Sequence, residues 1–92
     1  MIIDIRLHPD AIAFLDSLDR KERDRIKDAI RKLMVDPFRT RSGVDIKKMR
    51  GTKKRQPLYR LQVGEYRIIY DVQENIVWVT EIILRGYDYQ GY

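Results

Sequence analysis

The sequence predicts an α+β domain: a strand, two helices, then three antiparallel strands, with the helices packed on one face of the sheet. Three observations carry this prediction. The first residues alternate apolar and charged, the following thirty repeat apolar residues at helical spacing, and residues 58–84 form three runs rich in Ile, Val, Leu and Tyr with two-residue joints. Ninety-two residues leave room for one core, so 1–92 is read as a single domain. A chain this short buries only about 60–65% of its unfolded surface, so a bound partner is expected to add stability.

In the opening strand, about residues 2–7, Ile3, Ile5 and Leu7 alternate with Asp4 and Arg6. Pro9 fits a first helical turn, so His8 or its neighbour precedes a short helix carrying Ala11, Phe14, Leu15 and Leu18 on its inner side. His8 is then structural. Asp19 with Glu22 three residues on resembles a capping box, and Ile26, Ile30, Leu33 and Met34 extend a second helix to Asp36, where Pro37 stops it. Its charged outer face, with Lys21, Arg25, Asp28, Arg31 and Lys32, is normal for a packed surface helix. From Phe38 to Pro57 the periodicity fades. Basic residues gather around Gly43 and Gly51, with Val44, Ile46 and Met49 as the plausible anchors, so this stretch reads as a long basic connection without an element of its own.

The three final strands cover about residues 58–63, 66–73 and 76–84. Gly64-Glu65 fits a type II′ hairpin turn with glycine first, and Glu74-Asn75 marks the second reversal. The first turn sets a register in which Val63 faces Tyr66, Gln62 faces Arg67, Leu61 faces Ile68 and Arg60 faces Ile69. Tyr59, Leu61, Val63, Tyr66, Ile68, Tyr70 and Val72 then share the face that packs on the helices, while Arg60, Gln62 and Arg67 share the opposite one. Arg60 lies diagonal to Arg67, within reach of a common phosphate. A plain alternative is that Arg67 pairs with Asp71 or Glu65 on a solvated face.

Charge is distributed unevenly. Residues 1–19 hold one base and four acids, residues 20–55 fifteen and five, and residues 56–92 three and five, which leaves the middle segment at +10 within a chain of net +5. Such a segment favours a polyanion, nucleic acid first, because each neutralised phosphate releases counterions, and Lys47, Lys48, Arg50, Lys53, Lys54 and Arg55 are the candidate phosphate contacts. Tyr87, Tyr89 and Tyr92 close the sequence just past Arg85, and their rings suit stacking on unpaired bases, though a tail folded back on the sheet accounts for them equally. No cysteine and one histidine exclude a Cys/His zinc site, a disulfide framework and a cysteine nucleophile. The acids Asp71, Glu74, Glu81 and Asp88 lack ligand spacing, so neither metal nor cofactor is expected. The N-terminus is too short and charged for a signal peptide, and the longest apolar run, Ile82-Ile83-Leu84, is far too short for a bilayer, so a cytoplasmic protein without membrane contact is expected.

Lys48-Met49-Arg50-Gly51, Leu58-Tyr59-Arg60, Gly64-Glu65-Tyr66-Arg67-Ile68-Ile69-Tyr70 and a last strand ending in Arg85, in that order, resemble the RelE-type toxins of the RelE/ParE toxin-antitoxin superfamily. The likeness covers nearly the whole chain. It implies a ribosome-dependent endoribonuclease that cuts mRNA in the decoding site and is held inactive by a RelB-like antitoxin. By position in the motif, Arg67 would stabilise the scissile phosphate, with Arg60 on the preceding strand and Arg85 after the last strand. Tyr87, Tyr89 or Tyr92 would take the place of the family's C-terminal tyrosine, which stacks on or orients the substrate base. Gln62 stands where some RelE members have a lysine, and an amide cannot act as a base, so the general base is unassigned. Gln62 is instead grouped with the RNA-binding residues. A ParE-like toxin that inhibits DNA gyrase without cutting RNA is the alternative within the same superfamily, and a plain RNA-binding domain is the third.

The chemistry can be set out independently of the resemblance. Cleaving RNA without metal requires the 2′-hydroxyl to attack its own phosphorus, so a site must align that oxygen, neutralise the phosphorane and protonate the leaving 5′-oxygen. Arginine does the second task well and proton transfer badly. A site of this kind is expected to cleave free RNA weakly and to depend on the ribosome to bend the substrate.

Overall fold

The computed structural model describes residues 3–49 and 57–84. In chain order these form β1 (Asp4–Leu7), α1 (Pro9–Asp16), α2 (Arg20–Arg31) running into a 3-10 turn (Lys32–Met34), β2 (Asp45–Lys48), β3 (Tyr59–Val63), β4 (Tyr66–Gln73) and β5 (Ile76–Leu84). The five strands make one mixed sheet in the order β1-β5-β4-β3-β2, with β1 parallel to β5 and every other pairing antiparallel. Both helices lie on one face, giving the expected α+β architecture. No helix among the described residues is long and apolar enough to cross a membrane.

The helix boundaries follow from local chemistry. His8 caps α1, its Nδ1 accepting the Asp10 N–H at 3.0 Å, with Pro9 beginning the helix. Asp19 caps α2, its carboxylate accepting the Glu22 N–H at 2.9 Å. The regular helix ends at Arg31 rather than running to Asp36. The chain tightens into the 3-10 turn before Pro37, where a helical Asp36 would clash with the proline ring. Ala11, Leu15, Ile26, Ile30 and Leu33 descend from this layer onto Ile46, Leu61, Val63, Ile68, Tyr70, Val77, Val79 and Ile82 of the sheet. Ile26 and Leu33 are fully buried, so truncating either to alanine removes packing worth about 2–5 kcal/mol.

One element was not anticipated. The basic connection contains β2, which covers the outer edge of β3, pairing Asp45 with Gln62, Ile46 with Leu61 and Lys47 with Arg60. Its sequence signal is short, since only Val44 and Ile46 alternate with Asp45 and Lys47, and both apolar residues are buried. A tight turn with Gly43 at φ +77 delivers the chain to it. Thr40 closes the turn: its hydroxyl donates to the Val44 carbonyl at 3.0 Å and accepts the Ile46 N–H at 3.3 Å. Between β4 and β5 a bulge at Thr80 shifts the alternation, so that Val77 and Val79 face the helices before it and Ile82 after it.

Candidate nucleic-acid interface

The β3–β4 hairpin has the register predicted from its turn: Val63 pairs with Tyr66, Gln62 with Arg67, Leu61 with Ile68 and Arg60 with Ile69. Gly64 has φ +58 and Glu65 stays at ordinary φ, as a type II′ turn requires. The β4–β5 joint instead places both Glu74 (φ 52) and Asn75 (φ 64) in the left-handed region, the pattern of a type I′ turn. Lys47 stands opposite Arg60 on β2, so the sheet face away from the helices carries Lys47, Arg60, Gln62 and Arg67 on three adjacent strands. On that face Arg60 sits between two diagonal neighbours on β4, Arg67 on one side and Asp71 on the other. Asp71 in turn stands opposite Trp78 of β5, and Trp78 opposite Arg6 of β1.

The guanidinium of Arg67 is oriented by an amide: its Nε donates to Gln62 Oε1 at 3.1 Å, while Gln62 Nε2 donates to the Gly64 carbonyl at 2.6 Å. This anchoring leaves the positive charge of Arg67 undiminished by Gln62. Among the described residues, the ion pairs join exposed or half-exposed partners such as Arg31 with Asp28 at 2.6 Å, and none engages Arg60. The face is not bare. Leu58, Ile69 and Ile83, with Met49 against them, form a small buried cluster on it, and Arg60 and Arg67 are half-buried rather than solvated. Charges held beside such a surface interact more strongly with a phosphate than they would in open water. Two polar atoms here are buried without a hydrogen-bond partner: Arg60 Nε and Asp71 Oδ1. Asp71 is only 6% exposed, its other oxygen accepting a long hydrogen bond from Gln73 Nε2 at 3.4 Å.

The structure therefore brings together Lys47, Arg60, Gln62 and Arg67. Lys48, the next residue on β2, pairs with Tyr59 and points to the helix side of the sheet edge. Arg50, Lys53, Lys54, Arg55, Arg85, Tyr87, Tyr89 and Tyr92 lie outside the described residues. Two basic residues of the connection are engaged in structure. Arg39 pairs with Asp36 at 3.6 Å, and Arg41 donates to the carbonyls of Lys32, Asp36 and Arg39 at 3.0, 3.1 and 2.6 Å, closing off the end of the helical layer. Tyr66 and Tyr70 belong to the core side, as their register predicts. Tyr66 packs edge-on against Phe14, and Tyr70 stacks on Tyr59 and donates to the Pro37 carbonyl at 2.7 Å. Burial, reinforced by the neighbouring Tyr59, raises the Tyr70 phenol far above its ordinary pKa. Sequence reading placed Asp71 on this face only as a solvated ion-pair partner for Arg67, whereas it is buried, and passed over Trp78. The signal for Trp78 lies in its pairing with Asp71 across β4 and β5, which the strand alternation alone does not give.

A family model for the ParE toxin of type II toxin-antitoxin systems matches residues 5–89. No curated protein matches the chain. Among solved structures, the chain is similar to the archaeal RelE-RelB complex from Pyrococcus horikoshii OT3 at 27% identity, covering 96% of this chain and 100% of that one with a TM-score of 0.78. It shares its fold with the RelBE2 toxin-antitoxin complex of Mycobacterium tuberculosis, at 18% identity, 92% and 100% coverage and a TM-score of 0.74. The isolated E. coli RelE toxin has the same fold, at 18% identity, 95% and 88% coverage and a TM-score of 0.71. With the family match spanning almost the whole of this two-helix, five-strand fold, the chain belongs to the ParE toxin family and is a type II toxin of the RelE/ParE superfamily.

Proposed function

We propose that this toxin is a ribosome-dependent, metal-independent endoribonuclease that cleaves mRNA and so inhibits translation in the cytoplasm, restrained by a RelB-like antitoxin. The observation that carries this reading is the convergence of Lys47, Arg60 and Arg67 on one sheet face, with Arg67 oriented by Gln62. Guanidinium forks at diagonal positions on one sheet face suit the charge that builds on a phosphorane as the 2′-hydroxyl attacks. On this reading Arg67 and Arg60 hold the scissile phosphate, Arg85 and a C-terminal tyrosine (Tyr87, Tyr89 or Tyr92) complete the site, and Lys47, Lys48, Arg50, Lys53, Lys54 and Arg55 grip RNA along the basic connection. The RelB-bound structures of similar proteins support an antitoxin of that kind, and the +10 middle segment suits an acidic, partly disordered one.

A second reading has its own observation: the matching family model is that of ParE toxins, so inhibition of DNA gyrase without RNA cleavage is the rival. Two assays on the purified chain separate them. Primer extension on ribosome-bound mRNA is expected to show new 5′ ends within codons, absent for Arg67→Ala, while gyrase supercoiling is unaffected. Loss of supercoiling with intact mRNA would establish the rival instead.

A further inference from the structure

Asp71 Oδ1 and Arg60 Nε are the two unpartnered atoms on the candidate face, and they occupy diagonal positions on neighbouring strands. One is a hydrogen-bond acceptor and the other a donor, so the group that satisfies both at once must itself accept and donate. A hydroxyl does this. Leaving two such atoms unsatisfied is costly in a folded chain, and unpartnered buried groups of this kind point to a missing partner. Two neighbours suggest where the rest of that partner lies. Trp78, directly opposite Asp71, is a large aromatic left 41% exposed on a strand whose other apolar residues are mostly covered. Arg67, the other diagonal neighbour of Arg60, carries a guanidinium of the kind that binds phosphate. An aromatic ring, then a donor and acceptor, then a second guanidinium thus follow one another across adjacent strands, at spacings of about 5–8 Å. Base, ribose and phosphate follow one another in a nucleotide on a similar scale.

We propose that Trp78, Asp71 and Arg60 form a nucleoside subsite: the base on the 5′ side of the scissile phosphate stacks on Trp78, and its 2′-hydroxyl lies between Arg60 Nε and Asp71 Oδ1. This rests on the nuclease reading and supplies the general base that Gln62 cannot be. In the step itself the 2′-O–H bond breaks and its proton passes to Asp71 Oδ1, the 2′-oxygen bonds to phosphorus, and the bond from phosphorus to the 5′-oxygen breaks. The leaving oxygen takes a proton from water, giving a 2′,3′-cyclic phosphate and a 5′-hydroxyl, and Asp71 returns its proton to solvent. Because both atoms are shielded in the free chain, the subsite opens as RNA binds, which suits a substrate bent elsewhere before it enters.

The test uses single-turnover cleavage of ribosome-bound mRNA together with binding of a short oligonucleotide off the ribosome in all-ribose and all-deoxy forms. Asp71→Asn, nearly isosteric, is expected to lose at least about 100-fold in cleavage rate, the scale of a missing general base, while still binding RNA. Asp71→Ala is expected to equalise ribose and deoxyribose binding, where the wild-type chain prefers ribose several-fold. Trp78→Ala, at an exposed position, should weaken binding of both forms alike by roughly 5- to 150-fold, the range of one lost base stack. A wild-type chain that cleaves while both Asp71 variants keep its rate and ribose preference overturns the subsite alone. So does an Asp71→Asn variant that only melts earlier, which would mean the pair bridges a structural water. A wild-type chain that cleaves no mRNA on the ribosome overturns the nuclease reading, and the subsite with it.

Discussion

Gln62 and Arg67 face each other across the β3–β4 hairpin, and the amide oxygen of the first accepts the Nε–H of the second at 3.1 Å. The other end of the amide is tied to the Gly64 carbonyl at 2.6 Å, so the orientation of the arginine is coupled to the turn. Gln62→Ala removes this brace. Hydrogen bonds to charged groups contribute about 1.5–3 kcal/mol, and at a partly exposed site the lower end applies, so cleavage of ribosome-bound mRNA should fall about 10-fold with little change in Tm. Gln62→Glu should fall further despite keeping an acceptor, because its charge offsets that of Arg67 toward a phosphate. Equal rates for all three chains would show that the amide does not orient the arginine.

Arg41 carries a different kind of role from the other bases of the connection. Its guanidinium serves three carbonyls, of Lys32, Asp36 and Arg39, which the single ammonium of lysine cannot reach together. Arg41→Lys is expected to lose about 2–3 kcal/mol of stability in urea denaturation while its RNA affinity stays within about two-fold of the wild type.

Tyr70→Phe keeps the ring stacked on Tyr59 and deletes the donor to the Pro37 carbonyl, leaving a buried acceptor unpaired. A loss of about 1–3 kcal/mol is expected by the same denaturation measurement. The titration of this phenol gives a second readout. Its folded pKa lies above the ordinary value of 10.0, so its stabilising effect is complete below pH 10 and is lost as pH rises from there toward the folded value. Stability of the wild-type chain should therefore fall more steeply above pH 10 than that of Tyr70→Phe.

Gly64 is constrained twice, by φ +58 and by the Arg25 guanidinium, which would lie 2.6 Å from an added Cβ. The second constraint is soft, since Arg25 can swing away; the first is not. Gly64→Ala should cost about 1–2 kcal/mol, and Arg25→Ala in the same chain should leave most of that loss in place. Full recovery in the double variant would mean that the steric contact, rather than the backbone, set the cost.

Much of the candidate site was legible because it depends on short-range rules. A two-residue turn at Gly64-Glu65 fixes which residues of β3 and β4 are opposite, and alternation then puts Arg60 and Arg67 on one side without reference to the rest of the molecule. The caps at His8 and Asp19 were readable for the same reason, each being a contact within two or three residues. β2 escaped notice because four residues with one buried apolar side chain make too weak a pattern, and the strand exists through its pairing with β3. The bulge at Thr80 leaves a trace in the change from odd to even apolar positions after Val79, a trace that has meaning only against the partner strand.

The amino-acid order by itself determined the two helices, the hairpin register and the shared side of the two sheet arginines, because neighbours along the chain decide these. Tertiary structure decided that Lys47 joins Arg60 from an edge strand, that Arg6 meets Trp78 through a parallel pairing spanning some seventy residues of chain, and that Arg60 Nε and Asp71 Oδ1 are shut away from water. Those are consequences of which distant segments pair and how tightly they pack, and no local periodicity encodes them.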